Sequence, residues 1–362
     1  MAHAALSIDL DAVRDNWRFL KKQLKAGCEC SAVVKADAYG LGATPVAIAL
    51  FDAGCRWFFV ATLEEALALR QALPVDAKIA VLHGLERGEE KLYQNQKLIP
   101  VLNQMDELSR WRKTGQNLPA ILHVDTGMNR LGFAGVELEQ LKTQGVSGID
   151  LLFVMSHLAC ADEKNHPKNH EQLEKFRALL KFFPDAKASF ASSSGIFRGS
   201  EMHFDLARPG ASLYGINPTP ETTNPLKPVV ALEAEVLQVI TAKAGDTVGY
   251  NAAQRLSSPT RLATLGIGYA DGYFRSFGEG RGRVFINGIA VPIAGRVSMD
   301  LVTINISAFP EGQIVTGSKV EVLGKNHPVD VAAKEAGTIG YEVLTALGQR
   351  YIRHYIGMHG KD

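Results

Sequence analysis

Lys35, in the run Val34-Lys35-Ala36-Asp37-Ala38-Tyr39-Gly40, directly follows a short apolar stretch. A lysine so placed can lay its stem along apolar surface and keep its ammonium in water. Alternatively, burial or neighbouring cations lower its proton affinity, and the amine then serves as nucleophile or base. Arg130, His157 and Ser193 also stand just after apolar runs, and Arg208 lies near another. Each has a plain structural explanation of its own. His157, in Met155-Ser156-His157-Leu158, taken alone reads as a satisfied core histidine. Ser192-Ser193-Ser194-Gly195 is an ordinary loop, or a phosphate cradle of small residues with available backbone N–H groups. Arg208-Pro209-Gly210-Ala211 is a turn, or a place where Gly210 lets backbone approach an anion closely. His166 and His170, four residues apart, raise a metal-dependent hydrolase as a rival when taken with His157. No carboxylate stands in the usual ligand pattern, so no metal is expected.

The elements that would position these groups alternate along the first two thirds of the chain. Residues 31–34, 57–61, 79–82, 99–102, 120–124, 151–155 and 188–191 are short, apolar and often β-branched, and 206–213 is a weaker eighth run. Such continuous apolar strands suit a parallel sheet buried on both faces. Amphipathic patterns separate them: Leu10, Val13, Trp17 and Leu20 share one helical face, as do Leu173, Phe176 and Leu180. About eight strand–helix units in roughly 220 residues predict an α/β fold with an N-terminal (β/α)8 TIM-type barrel, whose reactive groups gather at the C-terminal strand ends. A doubly wound open sheet is the alternative, without a strong Gly-x-Gly-x-x-Gly turn to support it. From about Val229 strand-like alternation takes over, and Asn287-Gly288 between two apolar runs is a strong hairpin signal. Residues 261–267, 300–306 and Lys319–Leu323 read as further strands, and 341–349 as a short helix. The expected division is a barrel over 1–228 and a C-terminal mostly β domain over 229–362, with the first eight or so residues candidates to join the latter.

Composition sets outer bounds. Lys and Arg total 39 against 38 for Asp and Glu, a formal net charge of +1. That balance gives no electrostatic reason to expect nucleic acid or an anionic membrane as partner. No apolar run is long enough to span a bilayer. The start of the chain lacks the pattern of a signal peptide. Cys28, Cys30, Cys55 and Cys160 lack redox or zinc spacing and read as free thiols, so a cytoplasmic location is expected.

Read together, several blocks resemble the alanine racemases. They are Ala32-Val33-Val34-Lys35-Ala36-Asp37-Ala38-Tyr39-Gly40-Leu41-Gly42, Val124-Asp125-Thr126-Gly127-Met128-Asn129-Arg130-Leu131-Gly132, and Arg208-Pro209-Gly210-Ala211-Ser212-Leu213-Tyr214-Gly215. Gly268-Tyr269-Ala270-Asp271-Gly272, Gly295-Arg296-Val297-Ser298-Met299-Asp300 and Gly340-Tyr341-Glu342 complete the set. Without the resemblance, Tyr269 flanks a plain turn, Met299 starts a strand and Tyr341 caps a helix. The resemblance implies pyridoxal 5'-phosphate as cofactor, bound to Lys35 as a Schiff base, and alanine as substrate. It implies that Lys35 and Tyr269 are the two acid–base groups. It places the cofactor phosphate on Tyr39, Ser193, Gly210, Ala211 and Tyr341, and Arg208 at the pyridine nitrogen with His157 hydrogen-bonded behind. Arg130 would contact the cofactor's phenolic oxygen and the substrate carboxylate, which the backbone at Met299 would also help bind. Tyr269 and Met299 would come from the partner subunit, so a homodimer with shared active sites is expected, with D-alanine supplied for bacterial peptidoglycan.

The chemistry agrees with that assignment. Racemisation removes the α-proton from one face and returns one to the other, which two flanking groups accomplish. A guanidinium at the ring nitrogen does not readily give up a proton. The ring is then expected to stay unprotonated, favouring prompt reprotonation over transamination. One departure stands out: His123 occupies the place where the family commonly has a lysine, carbamylated in some members, that orients the neighbouring arginine. Rivals include a non-enzymatic cofactor-binding barrel, which leaves Tyr269, Met299 and the β domain unexplained. A decarboxylase of related fold would use an acidic group where Arg208 stands. A racemase of wider specificity would need a roomier pocket.

Overall fold

The computed structural model describes residues 3–357. It comprises two compact units, one spanning Val13–Lys227 and the other joining the chain through Ala12 to Pro228 onward. In the first, seven strands lie side by side in chain order, all parallel: Ala32–Val33, Trp57–Val60, Lys78–Val81, Leu98–Leu102, Leu118–His123, Ile149–Met155 and Lys187–Ser189. Trp57–Val60 and Leu98–Leu102 are buried at every residue, as a sheet covered on both faces requires.

A short eighth strand, Leu206–Ala207, closes the curl. It pairs in parallel with Glu29–Cys30, while Asp205 N–H donates to Ala188 O (2.9 Å) and Arg208 N–H to Ala191 O (2.8 Å). The expected run over 206–213 is cut short because Pro209 offers no N–H and interrupts the ladder. A 3₁₀ turn, Ala211–Tyr214, follows. The first strand also begins earlier than expected and changes partner at Ser31: Glu29–Cys30 faces Leu206–Ala207, and Ala32–Val33 faces Trp57–Val60.

The helices are set by local signals. Thr62 and Glu65 form a reciprocal capping box that starts Leu63–Ala72. His166 caps Pro167–Leu180, its Nδ1 accepting from Lys168 N–H (3.1 Å), with Pro167 pre-set for the first turn. His166 is therefore occupied structurally, and no group of three or more potential metal ligands occurs among the described residues. No helix among the described residues is long and apolar enough to cross a membrane.

In the other unit the long strand Val230–Ala242 alternates buried and exposed residues through most of its length. It pairs antiparallel with Ala4–Asp9, Thr260–Leu265 and Lys319–Leu323. Arg283–Ile286 and Ile289–Pro292 form the expected hairpin, with Asn287 (φ 51°) and Gly288 (φ 79°) both left-handed at its turn. The expected strand over 300–306 is shorter, Val302–Asn305, and the terminal helix is Gly340–Thr345. Helix Val329–Ala336, strand Ile352–Ile356 pairing in parallel with Ala4–Asp9, and the short antiparallel pair Thr247–Val248 and Gln254–Arg255 were not foreseen.

Candidate active site

Lys35 stands where the first barrel strand ends, and the chain turns left-handed immediately behind it. Ala36, Asp37, Ala38 and Tyr39 have φ of 51°, 53°, 53° and 57° with ψ between 38° and 50°. A run of non-glycine residues in this region is rare, because each Cβ crowds the following carbonyl. Neighbours hold it in place. Asp37 Oδ1 accepts from Ala43 N–H (2.7 Å), and Asp37 O accepts from Gly42 N–H (2.8 Å). Ala36 N–H donates to Glu65 Oε1 at 2.6 Å. Such strain, maintained by surrounding contacts, is typical of functional sites.

The electrostatics lower the proton affinity of the amine and favour an anionic ligand. Burial, and then Arg130, lower the proton affinity of Lys35, while Glu65 opposes them. Arg208 is buried, and burial brings its pKa down to about 10. It donates to Ser156 O (2.7 Å) and to Ser189 Oγ, and no carboxylate pairs with it among the described residues. The expected hydrogen bond from His157 to Arg208 is not formed; the guanidinium bonds the two serines instead. His157 keeps a partly accessible edge, yet burial and the cations Arg208 and Arg130 bring it down to about 3. Burial and Arg208 bring His123 down to about 4. Both imidazoles are therefore neutral near pH 7. Asn103 donates from Nδ2 to Val101 O (2.9 Å) and Leu82 O (3.4 Å), so its Oδ1 faces His123 Nδ1 at 2.9 Å. That arrangement places the ring proton on Nδ1 and leaves Nε2 as an acceptor.

Arg130 is exposed on a loop that returns to its own strand, with Phe133 N–H on His123 O (2.8 Å) and Asp125 N–H on Phe133 O (3.0 Å). The Asp125 carboxylate shapes the loop by accepting from the N–H groups of Gly127, Met128 and Asn129 at 2.8–2.9 Å. At the phosphate end, N–H groups of Gly210 (3.0 Å) and Ser212 (3.2 Å) converge on Ser193 Oγ. A Cβ at Gly210 would come within 2.4 Å of the Tyr39 hydroxyl, so only glycine leaves this approach open. Ser212 Oγ is buried without a hydrogen-bond partner. Ala211 begins the 3₁₀ turn beside it. Buried N–H groups, an orphaned hydroxyl and an unpaired guanidinium together fit a small phosphorylated anion.

In the other unit, Tyr269 and Met299 are joined through backbone: Tyr269 N–H donates to Ser298 O (3.0 Å) and Ala270 N–H to Met299 O (2.9 Å). Arg350 bridges the two loops, gripping Asp271 through Nε (2.6 Å) and Nη2 (2.8 Å) and Asp300 through Nη1 (2.7 Å). Tyr269, Met299 and Tyr341 are 43%, 53% and 39% exposed. Gly249, Tyr250, Ser298, Met299, Asp300 and Leu301 line an open cleft of about 340 Å³. Sequence reading missed Glu65, Asn103, Asp125 and Arg350. The Thr62-x-x-Glu65 capping box was a visible signal, Asp125 shapes its own loop, and Asn103 and Arg350 act across the fold.

Comparison with known proteins gives a consistent result. Residues 8–218 match the family model for alanine racemase, N-terminal domain, and residues 229–355 that for alanine racemase, C-terminal domain. The chain is 48% identical over 361 residues to "Alanine racemase, catabolic" of Agrobacterium fabrum, covering 98% of this chain and 92% of that protein. It is 47% identical to "Alanine racemase" of Rhodospirillum rubrum, covering 99% and 97%. Among solved structures, alanine racemase from Bartonella henselae with covalently bound pyridoxal phosphate superposes with a TM-score of 0.94 at 41% identity, covering 98% and 100%. The biosynthetic alanine racemase of Pseudomonas aeruginosa gives 0.91 at 36%, covering 98% and 99%.

Proposed function

The chain belongs to the alanine racemase family, and from that membership we propose that it interconverts L- and D-alanine on pyridoxal phosphate, with Lys35 and Tyr269 as the two proton-transfer groups. The observation that carries this reading is the buried Arg208 without a carboxylate partner, in the same barrel as Lys35, which stands at the end of the first strand with its proton affinity lowered by burial and by Arg130. Lys35 would bind the cofactor through its amine, and Tyr39, Ser193, Gly210, Ala211 and Tyr341 would hold its phosphate. When bound, the cofactor supplies an electron sink for the carbanion at the α-carbon of alanine.

The remaining work falls to the chain's own residues. Arg208 would serve the ring nitrogen as a donor that keeps its proton. His157, neutral, packs beside it. Arg130 and the backbone at Met299 bind the substrate carboxylate and fix the α-carbon between Lys35 Nζ and the Tyr269 hydroxyl. One group takes the α-proton while the other gives one to the opposite face, and positioned transfer of this kind contributes about 10² to 10⁴ in rate. In place of the family's lysine, His123 would orient Arg130 through its Nε2 acceptor.

The proposed active unit is a homodimer in the cytoplasm, each site completed by Tyr269 and Met299 of the other chain. The exposure of both residues and the free state of the four cysteines support this. We assign the product D-alanine to peptidoglycan synthesis. A catalyst lowers the barrier equally in both directions, so biosynthetic and catabolic names among the relatives describe flux and not site chemistry. Incubation with L-alanine in deuterated water tests the activity: D-alanine bearing an α-deuteron is expected, and no exchange by cofactor-loaded enzyme contradicts it. Requirement for added D-alanine after deletion of the gene tests the cellular role, and growth without it opposes that role.

A further inference from the structure

Glu65 begins as a helix-capping residue and does more than capping needs. In the box, Thr62 Oγ1 accepts from Glu65 N–H (3.4 Å), and Glu65 Oε2 accepts from Thr62 N–H (3.4 Å) and Ala61 N–H (2.7 Å). These contacts occupy one carboxylate oxygen. The other, Oε1, reaches out of the helix to Ala36 N–H, the first residue of the left-handed turn behind Lys35. The two segments it joins follow adjacent parallel strands, paired at Val33 and Phe59, with Val34 N–H donating to Phe59 O (2.9 Å). Glu65 therefore fastens the ends of two neighbouring strands together at the lysine. Both bonds are charge-assisted, the stronger class.

The carboxylate also acts on the amine itself. Arg130, on the loop after Leu118–His123, and burial both disfavour a charged Lys35, and Glu65 is the group that favours it. The other titratable groups nearby do not substitute for it. His157, after Ile149–Met155, interacts with Lys35 but is neutral. The Asp37 carboxylate within the turn is committed to Ala43 N–H, and Tyr39 is directed toward Gly210.

We propose that Glu65 is a positioning residue for Lys35: its carboxylate holds the strained turn in register and counters the positive charge around the amine. This rests on the reading of Lys35 as cofactor-binding amine and proton-transfer group. A glutamine cannot serve both sides, because only one end of its amide accepts hydrogen bonds.

The experiment compares holoenzymes of wild type, Glu65→Gln, Glu65→Ala and Thr62→Ala. Thr62→Ala removes the cap and leaves the bond to Ala36, so it reports a purely structural effect. Two quantities are read: the dissociation constant for pyridoxal phosphate, and the acidic limb of kcat in the direction where Lys35 takes the proton. For both Glu65 variants the expected result is at least tenfold weaker cofactor binding and an acidic limb moved to lower pH. Thr62→Ala is expected to change only the melting temperature. If Glu65→Gln matches Thr62→Ala in both quantities, the inference is wrong. Should Glu65→Gln not fold, as judged by circular dichroism, Glu65→Asp replaces it. Its shorter reach is expected to weaken cofactor binding while its charge keeps the limb near the wild-type position, and the reverse pattern overturns the proposal. A wild type that neither binds the cofactor nor racemises alanine defeats the underlying reading instead.

Discussion

Replacing Ala36 with glycine is expected to stabilise the protein while impairing it. Ala36 is exposed and held at φ 51°, ψ 49°. A Cβ in this region costs roughly 1–2 kcal/mol, which glycine avoids. Glycine in turn costs roughly 0.5–1 kcal/mol in lost freedom on folding. The difference is a gain of about 0.5–1 kcal/mol, or a rise in melting temperature of roughly 1–4 °C for a unit of this size. Ala68 provides the control, since it is exposed within the regular helix Leu63–Ala72. There the same substitution is expected to cost about 1 kcal/mol. Calorimetry on both variants measures the pair of effects, and kcat on Ala36→Gly is expected to fall as the turn behind Lys35 loosens. If Ala36→Gly destabilises as much as Ala68→Gly, the turn is not under the strain inferred here.

Three further outcomes follow from the same geometry. Mixing Lys35→Ala with Tyr269→Phe is expected to restore about a quarter of wild-type activity, since half of randomly assorted dimers are mixed and each carries one intact site; no recovery on subunit exchange rejects the shared site. Arg350→Ala leaves Asp271 unpaired and unties the loops bearing Tyr269 and Met299, so kcat is expected to fall about tenfold or more with cofactor affinity unchanged; steady-state kinetics beside a cofactor titration check this. His123 has a folded-state pKa of about 4 against an ordinary 6.5. The stability from keeping it neutral is therefore present above pH 6.5 and lost as pH falls toward 4. Denaturant unfolding of wild type and His123→Asn across that window is expected to show up to roughly 3 kcal/mol of pH dependence missing in the variant.

The barrel strands were legible because each is a continuous apolar run of strand length, and the hairpin because Asn287-Gly288 supplies two residues tolerant of positive φ. Helix Val329–Ala336 was passed over although Pro328 and Gly337 bracket it, since eight residues give little periodicity to read. Lys35 stood out through its motif, but the hand of its turn did not. Ala-Asp-Ala-Tyr carries no glycine, and nothing local announces a left-handed run. What imposes it lies elsewhere in the chain, at Glu65 and Ala43. Distance in sequence also concealed Asn103 behind His123, 20 residues apart, and Arg350 behind Asp271, 79 apart. Side-chain partners of this kind become visible only once the strands are ordered around the barrel or across the sheet.

Lys35 is the point on which the account stands. Borohydride reduction of the cofactor-loaded enzyme, followed by digestion and peptide mass analysis, locates the covalent attachment directly. The account predicts a reduced pyridoxyl-phosphate adduct on the peptide containing Lys35 and on no other lysine. An adduct on a different lysine, or none in enzyme that racemises alanine, would contradict it.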